Sequence, residues 1–335
     1  CWKEVKAGSL HTIGVKLDGS LWTWGNNDFN QLGDGTATFK NVPTQISSTS
    51  DWNFVDGGEY HSLAIKTNGS LWAWGANNFG QLGDNSTLQK NIPVQIGSDV
   101  NWAKVACGYS HNLALKNDGT LWVWGSNIYG ELGLNSVLNS SIPVQLGFDT
   151  DWVAISAGKN FSAAIKSDGT LWVWGLNDFG QLGQGNLVDS LIPIQVGTAN
   201  DWWQISCGEA FMVGLKANRQ LYAWGSNYRG QLGDASNMDK NIPTAIGTAT
   251  DWEKISAGGF HTIARKTNGT IWATGYNQTG QLGVGGANID KNLYVQAGSY
   301  ALWNEIATGR FHSLSVRLNT DVRSWGANNT GQLGD

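Results

Sequence analysis

The chain has 335 residues, enough for two average domains or one large all-β domain. Charged residues make up only 14%, there are 19 Trp, and the net charge is −5, which excludes a disordered chain and a general nucleic-acid binder. No run approaches eighteen apolar residues, and three Cys are too few for a disulfide scaffold, so a membrane-spanning helix and a small disulfide-stapled fold are excluded as well.

A period of 50 residues organises the rest. Trp2, Trp52, Trp102, Trp152, Trp202 and Trp252 are evenly spaced, and Trp303 follows one residue late. The rows run over about 1–50, 51–100, 101–150, 151–200, 201–250, 251–301 and 302–335, and read as one domain over 1–335.

Each row opens on a strand such as "WNFVDGG". After a short loop comes "HSLAIK", in which His61, Leu63 and Ile65 point one way and Ser62, Ala64 and Lys66 the other. That is the period of a β-strand. One set is large and the other mostly small, so both faces can be buried if a neighbouring sheet packs closely on the small side. "KLDGS" or "TNGS" follows, and its Asp-Gly or Asn-Gly pair is expected to form a type I′ turn with two positive-φ positions. "LWAW" then folds back with both Trp on one face. After "GQLG" and a polar stretch, "IPVQI" is the fourth strand. Pro43, Pro93, Pro143, Pro193 and Pro243 all sit in it, which marks an outer edge, because Pro donates no ladder N–H.

Four antiparallel strands repeated seven times predict an all-β, seven-bladed β-propeller. Row seven stops at "WGANNTGQLGD", before a fourth strand, and no spare strand precedes Cys1. Blade seven is therefore expected to have three strands and an exposed edge, or the natural polypeptide to run on at one end.

The departures from the repeat are informative. Phe161 and Phe211 take the position of His11, His61, His111, His261 and His312. Zinc would need several His within about 2 Å of one ion, and Phe cannot replace a ligand. A packing role with one ring nitrogen hydrogen-bonded is expected instead, with no metal site. Cys107 and Cys207 replace the repeat's Ala and read as small core residues. Eighteen Trp occupy three repeat positions and read as core, whereas Trp203 is off pattern. Lys16, Lys66, Lys116, Lys166, Lys216, Lys266 and Arg317 share one position and read as a solvated, partly paired hairpin end. All six Arg lie beyond residue 200. Arg219 replaces the turn Gly, Arg265 an apolar residue and Arg323 a Trp, while Thr274 replaces another Trp. No nucleophile–base–orienter set stands outside the repeat, and no phosphate-loop motif occurs, so no catalytic residue and no cofactor is expected.

The rows differ most between the repeat Gly and His. Variable loops on a rigid scaffold commonly build a binding surface. The candidate partner-binding residues are Glu59, Tyr60, Tyr109, Lys159, Glu209, Phe260, Arg310 and Phe311 from these loops, with Arg229 and Trp203. Phe29, Phe79, Tyr129 and Phe179, which recur before "GQLG", read as packing.

The combined phrase H-x-L-A-I-K-x-D-G-x-L-W-x-W-G-x-N-x-x-G-Q-L-G resembles the regulator-of-chromosome-condensation repeat family across all seven rows. The resemblance implies a seven-bladed propeller that serves as a binding platform, and the Trp-rich rows look like the family's bacterial branch. It points to a non-enzymatic module that binds another protein or a surface; low Cys with abundant Asn, Thr and Gly suits an extracellular, cell-surface or virion setting, with a cytoplasmic one left open. One bacterial member type, a secreted inhibitor that grips a β-lactamase, is a concrete analogue. A glycan-binding surface protein is the second reading. Guanine-nucleotide exchange or chromatin binding, as in the nuclear member, is the third, and the negative charge with no basic tail argues against it.

Overall fold

The computed structural model describes residues 1–317 and 321–335. Blade one consists of β1 (Trp2–Ala7), β2 (His11–Lys16), β3 (Leu21–Gly25) and β4 (Lys40–Gln45), hydrogen-bonded in that order and antiparallel throughout. Five further four-stranded blades repeat this order, and a seventh blade has three strands, Trp303–Thr308, His312–Arg317 and Asp321–Gly326. The expected propeller is present, with its last blade short of an outer strand. The innermost strands, from Trp2–Ala7 round to Trp303–Thr308, pack side by side around a central axis. Pro43 and its equivalents lie in the outermost strands.

The core lies between blades rather than within them. Ile13, Val15 and Leu21 of blade one pack on Trp52, Val55, Ala64 and Trp74 of blade two. The two-sided pattern of "HSLAIK" follows from this: the large set meets one neighbouring blade and the small set admits the other. Trp24, Trp74, Trp124, Trp174 and Trp224 are the largest fully buried side chains. Burying each contributes on the order of 2–3 kcal/mol.

The repeated "GQLG" is the fastener between blades. Its Gln31 carbonyl leaves blade one and accepts from Trp74 Nε1 at 2.9 Å and Ser62 Oγ at 2.8 Å, both of blade two. The ring closes in the same way. Gln332 O accepts from Trp24 Nε1 at 3.1 Å and Thr12 Oγ1 at 2.9 Å, and Val5 and Trp24 pack on Ala307, Leu314 and Val316. Among the described residues, closure therefore runs through a loop and a core cluster.

The five histidines are part of this fastening. His11 Nε2 lies 3.0 Å from Ser62 Oγ, His111 Nε2 2.9 Å from Ser162 Oγ, and His312 Nε2 3.2 Å from Thr12 Oγ1. Ser62 already donates to Gln31 O, and Asn112 meets His61 with an oxygen that only accepts, at 2.7 Å. The rings are thus Nε2–H tautomers, with Nδ1 unpartnered. Where Phe161 replaces His, the facing residue of the next blade is Met212 instead of Ser, and both are fully buried. A second paired exchange occurs in blade six. Thr274 replaces the buried Trp, its hydroxyl lies within hydrogen-bond distance of Gly230 O and Lys291 O and donates its one proton between them, and it leaves room for Tyr294, which stands at the Pro position and packs 5.3 Å from Trp252.

The hairpin turn is not type I′. Gly19 N donates to Lys16 O, Lys16 N donates to Ser20 O, and of the turn residues only Gly19 has positive φ. This is a three-residue loop, a type I turn followed by a left-handed Gly, and Asp18 locks it by accepting from Ser20 N and Oγ. Arg219 occupies the left-handed position in blade five with φ 65°. Arg219→Gly is therefore expected to stabilise the fold by up to about 1 kcal/mol, read as a raised denaturation midpoint.

Candidate functional site: the loop face

Every inner strand runs from the hairpin end of its blade to the end where the variable loops lie. Trp202 pairs with Lys216 at the first end and Cys207 with Met212 at the second. The variable loops and the "N-x-F-G-Q-L-G" connections therefore share one face of the disc. Backbone bonds tie neighbouring inner loops together: Ser9 N to Gly58 O, Glu59 N to Tyr109 O, Lys159 N to Glu209 O and Arg310 N to Ser9 O. The loops form a fixed iris around the axis.

Side chains from alternate blades meet over it. Glu209 Oε1 accepts from Tyr109 Oη at 2.7 Å and pairs with Arg310 Nε at 2.6 Å. The Glu209 side chain is only 8% exposed. Burial, with the Glu209 carboxylate beside it, pushes the Tyr109 phenol well above its ordinary range. Lys159 lies over the Tyr109 ring at 4.9 Å, with its ammonium 4.0 Å from Glu209 Oε2. Glu59 stands on the same rim, and burial raises its carboxyl.

Aromatic rings surround this plug. Tyr60 packs on Phe29 at 4.5 Å. Phe260 lies 5.8 Å from Tyr228 and 6.0 Å from Phe311, which meets Tyr276 at 5.9 Å. The Arg229 guanidinium lies 5.3 Å from the Tyr228 ring and 5.0 Å from Tyr276, and pairs with Asp290 at 3.4 Å. Nine of the ten candidates are thus brought to one face. Trp203 is not: it is 49% exposed but sits on the inner strand of blade five at the hairpin end.

Sequence reasoning missed part of this surface. Phe29, Tyr129 and Phe179 are 37–41% exposed, so their regular recurrence reports a loop position on the face rather than burial. Tyr228, at 52%, and Tyr276 were overlooked because they stand one or more positions away from the repeat's aromatic.

The remaining sequence candidates fall elsewhere. The repeat lysines are not a solvated rim. Lys66 lies 4.7 Å from the Trp52 ring and 4.6 Å from the Trp72 ring and pairs with Asp51 at 3.1 Å, and Lys116 repeats the arrangement between Trp102 and Trp122. Arg265 is buried and held by Glu253 at 2.6 Å and Trp303 O at 3.0 Å. Arg229 and Arg310 reach the loop face, whereas Arg219 stands at a hairpin turn. Beneath the plug is an axial chamber of about 290 Å³ lined by Lys6, Asp56, Lys104, Lys254 and Glu305. Asp56 accepts from Cys107 N at 2.8 Å, and burial pushes its carboxyl up to about 6. Burial pushes the Cys207 thiol up to about 12, so it is not poised as a nucleophile. Among the described residues no cluster of three or more His, Cys, Asp or Glu is placed to hold a metal ion.

The comparisons agree with this architecture. A family model described as the RCC1-like domain matches residues 2–297. Human WBSCR16 is similar in structure, with a TM-score of 0.85 and 22% identity over 95% of this chain and 86% of that one. Prp20p of Saccharomyces cerevisiae, whose structure is described with its binding to Gsp1p and histones, is similar at a TM-score of 0.84 and 21% identity over 99% and 84%. The ectodomain of the Arabidopsis thaliana receptor kinase ACR4 is a more distant likeness, at 0.58 and 15% over 96% of each.

Proposed function

The chain belongs to the RCC1-like domain family, and from that premise we propose that it is a non-enzymatic binding module whose loop face engages a protein ligand. One observation carries this reading. A single face of a rigid disc presents blade-specific charged loops and a surround of partly exposed Phe and Tyr, which is the composition of an interaction hot spot. The interblade bonds hold these groups in place before binding, so little ordering cost falls on association. The Prp20p likeness is likeness of fold, and a small-GTPase partner enters here only as an alternative.

The test compares the two faces. A protein ligand captured on the immobilised chain is expected to bind Phe260→Ala at least tenfold more weakly, since buried aromatic anchors are worth about 2 kcal/mol or more. Trp203→Ala is expected to leave affinity unchanged. The opposite order of sensitivity, or clear hits on a glycan array that depend on Trp203, would favour the glycan reading. Stimulated nucleotide release from a small GTPase would replace the proposal with exchange activity.

A further inference from the structure

We propose that a groove on the loop face, between blades three and six, seats a ligand segment carrying an aromatic or aliphatic side chain next to a carboxylate. This rests on the protein-binding reading above and names the chemistry of the partner.

The groove has a volume of about 350 Å³. Its walls are Tyr129, Phe179, Tyr228 and Phe260, and Lys159 and Glu209 close its inner end. It falls at the small end of ligand sites, which span about 300–1,000 Å³, so it takes a few side chains and not a folded element. Tyr129, Phe179 and Tyr228 are 40%, 41% and 52% exposed, a cost in water that a covering apolar side chain relieves.

The two charges at the inner end are not equivalent. Glu209 is buried and already engaged by both Tyr109 and Arg310 through one oxygen. Lys159 is 42% exposed, lies over the Tyr109 ring at 4.9 Å and approaches the other oxygen to 4.0 Å. The carboxylate is therefore neutralised from behind, and the ammonium is the charge offered to an occupant. An anionic group on the ligand pairs with it, and the aromatic walls take the neighbouring side chain. A neutral sugar could stack on the walls but would offer no anion to the exposed Lys159 ammonium.

The probe is a phage-displayed library of random twelve-residue peptides, panned on the full chain. Enriched clones are expected to carry Asp or Glu within two positions of Phe, Tyr, Trp or Leu. Their binding is expected to fall at least tenfold on Lys159→Glu and on Phe179→Ala, to be largely kept by Lys159→Arg, and to change less than twofold on Trp203→Ala, which lies at the hairpin end of its blade, away from the loop face. Thermal melting of each variant separates lost binding from lost folding, and Lys159→Ala serves as the milder second variant. Clones lost on Arg229→Glu but indifferent to Lys159→Glu would overturn the groove and leave the binding face standing. A basic consensus would also overturn it. If no clone depends on any loop-face variant, both proposals fail.

Discussion

The double variant His111→Phe, Ser162→Met is expected to unfold at a lower pH than the wild type, while remaining folded at neutral pH. The fold already contains this pair as Phe161 and Met212, so the exchange copies a native solution. Burial pushes His11, His111 and His261 down to about 3 and His61 and His312 to about 4, against an ordinary value of 6.5. The cause is local: a second proton would have to sit on Nδ1, which has no acceptor. Folded pKa values below the unfolded value mean that the unfolded chain binds more protons between about pH 6.5 and 4. Stability is thus fully present above pH 6.5 and falls as pH drops through this window. Each His contributes a slope of about 1.4 kcal/mol per pH unit at most. Asp56, raised to about 6, and Glu4 and Glu59, also raised by burial, act in the opposite sense over the lower part of the window. With five His set against three carboxyls, the net slope is at most about 3 kcal/mol per pH unit in the lower part of the window and larger above it. Urea denaturation followed by Trp fluorescence between pH 7 and 4.5 reads it, and the double variant is expected to show a slope shallower by about one His. Equal slopes in the two proteins would refute the assignment of acid lability to the interblade histidines.

Removing Gly331–Asp335 is the second large effect, with an expected loss of about 5 kcal/mol. Trp24 Nε1 and Thr12 Oγ1 would lose Gln332 O and become buried donors without partners, at about 1–3 kcal/mol each. The Trp24 ring, 1% exposed, would also lose Gly334 from its face. A finer version keeps the chain length. Gly334 has φ +82°, and an added Cβ would meet Trp24 Nε1 at 2.8 Å, whereas Gly147 has φ +66° and open space around it. Gly147→Ala is expected to cost only the left-handed penalty of about 1 kcal/mol, and Gly334→Ala clearly more. Equal denaturation midpoints for the two Ala variants would contradict closure through the terminal "GQLG".

Much of the fold was legible because one period governs it. Blade number, strand order and the Pro-bearing outer edge all follow from reading a single row and counting. The errors have physical sources. Asp-Gly suits both a type I′ turn and a type I turn with a left-handed Gly, and only the pairing of Lys16 with Ser20 decides. The repeat Lys looked solvated because its two Trp neighbours lie on different strands, and no row shows that they close around it. The site was legible as a set of variable loops but not as a network. Tyr109, Glu209 and Arg310 are about 100 residues apart and meet only because alternate blades face one another across the axis. Trp203 illustrates the reverse: it stands out in its row, yet strand direction carries it to the other end of the blade.

The proposal that the loop face is the binding surface is tested most directly by hydrogen–deuterium exchange of the chain with and without its captured ligand. Protection is expected at 59–60, 109–110, 159–160, 209–210, 259–260 and 310–311 and in the connections around 129, 179 and 228, with no change around Trp203. Protection confined to the hairpin turns and the inner-strand start at Trp203, with the loop face unaltered, would contradict it.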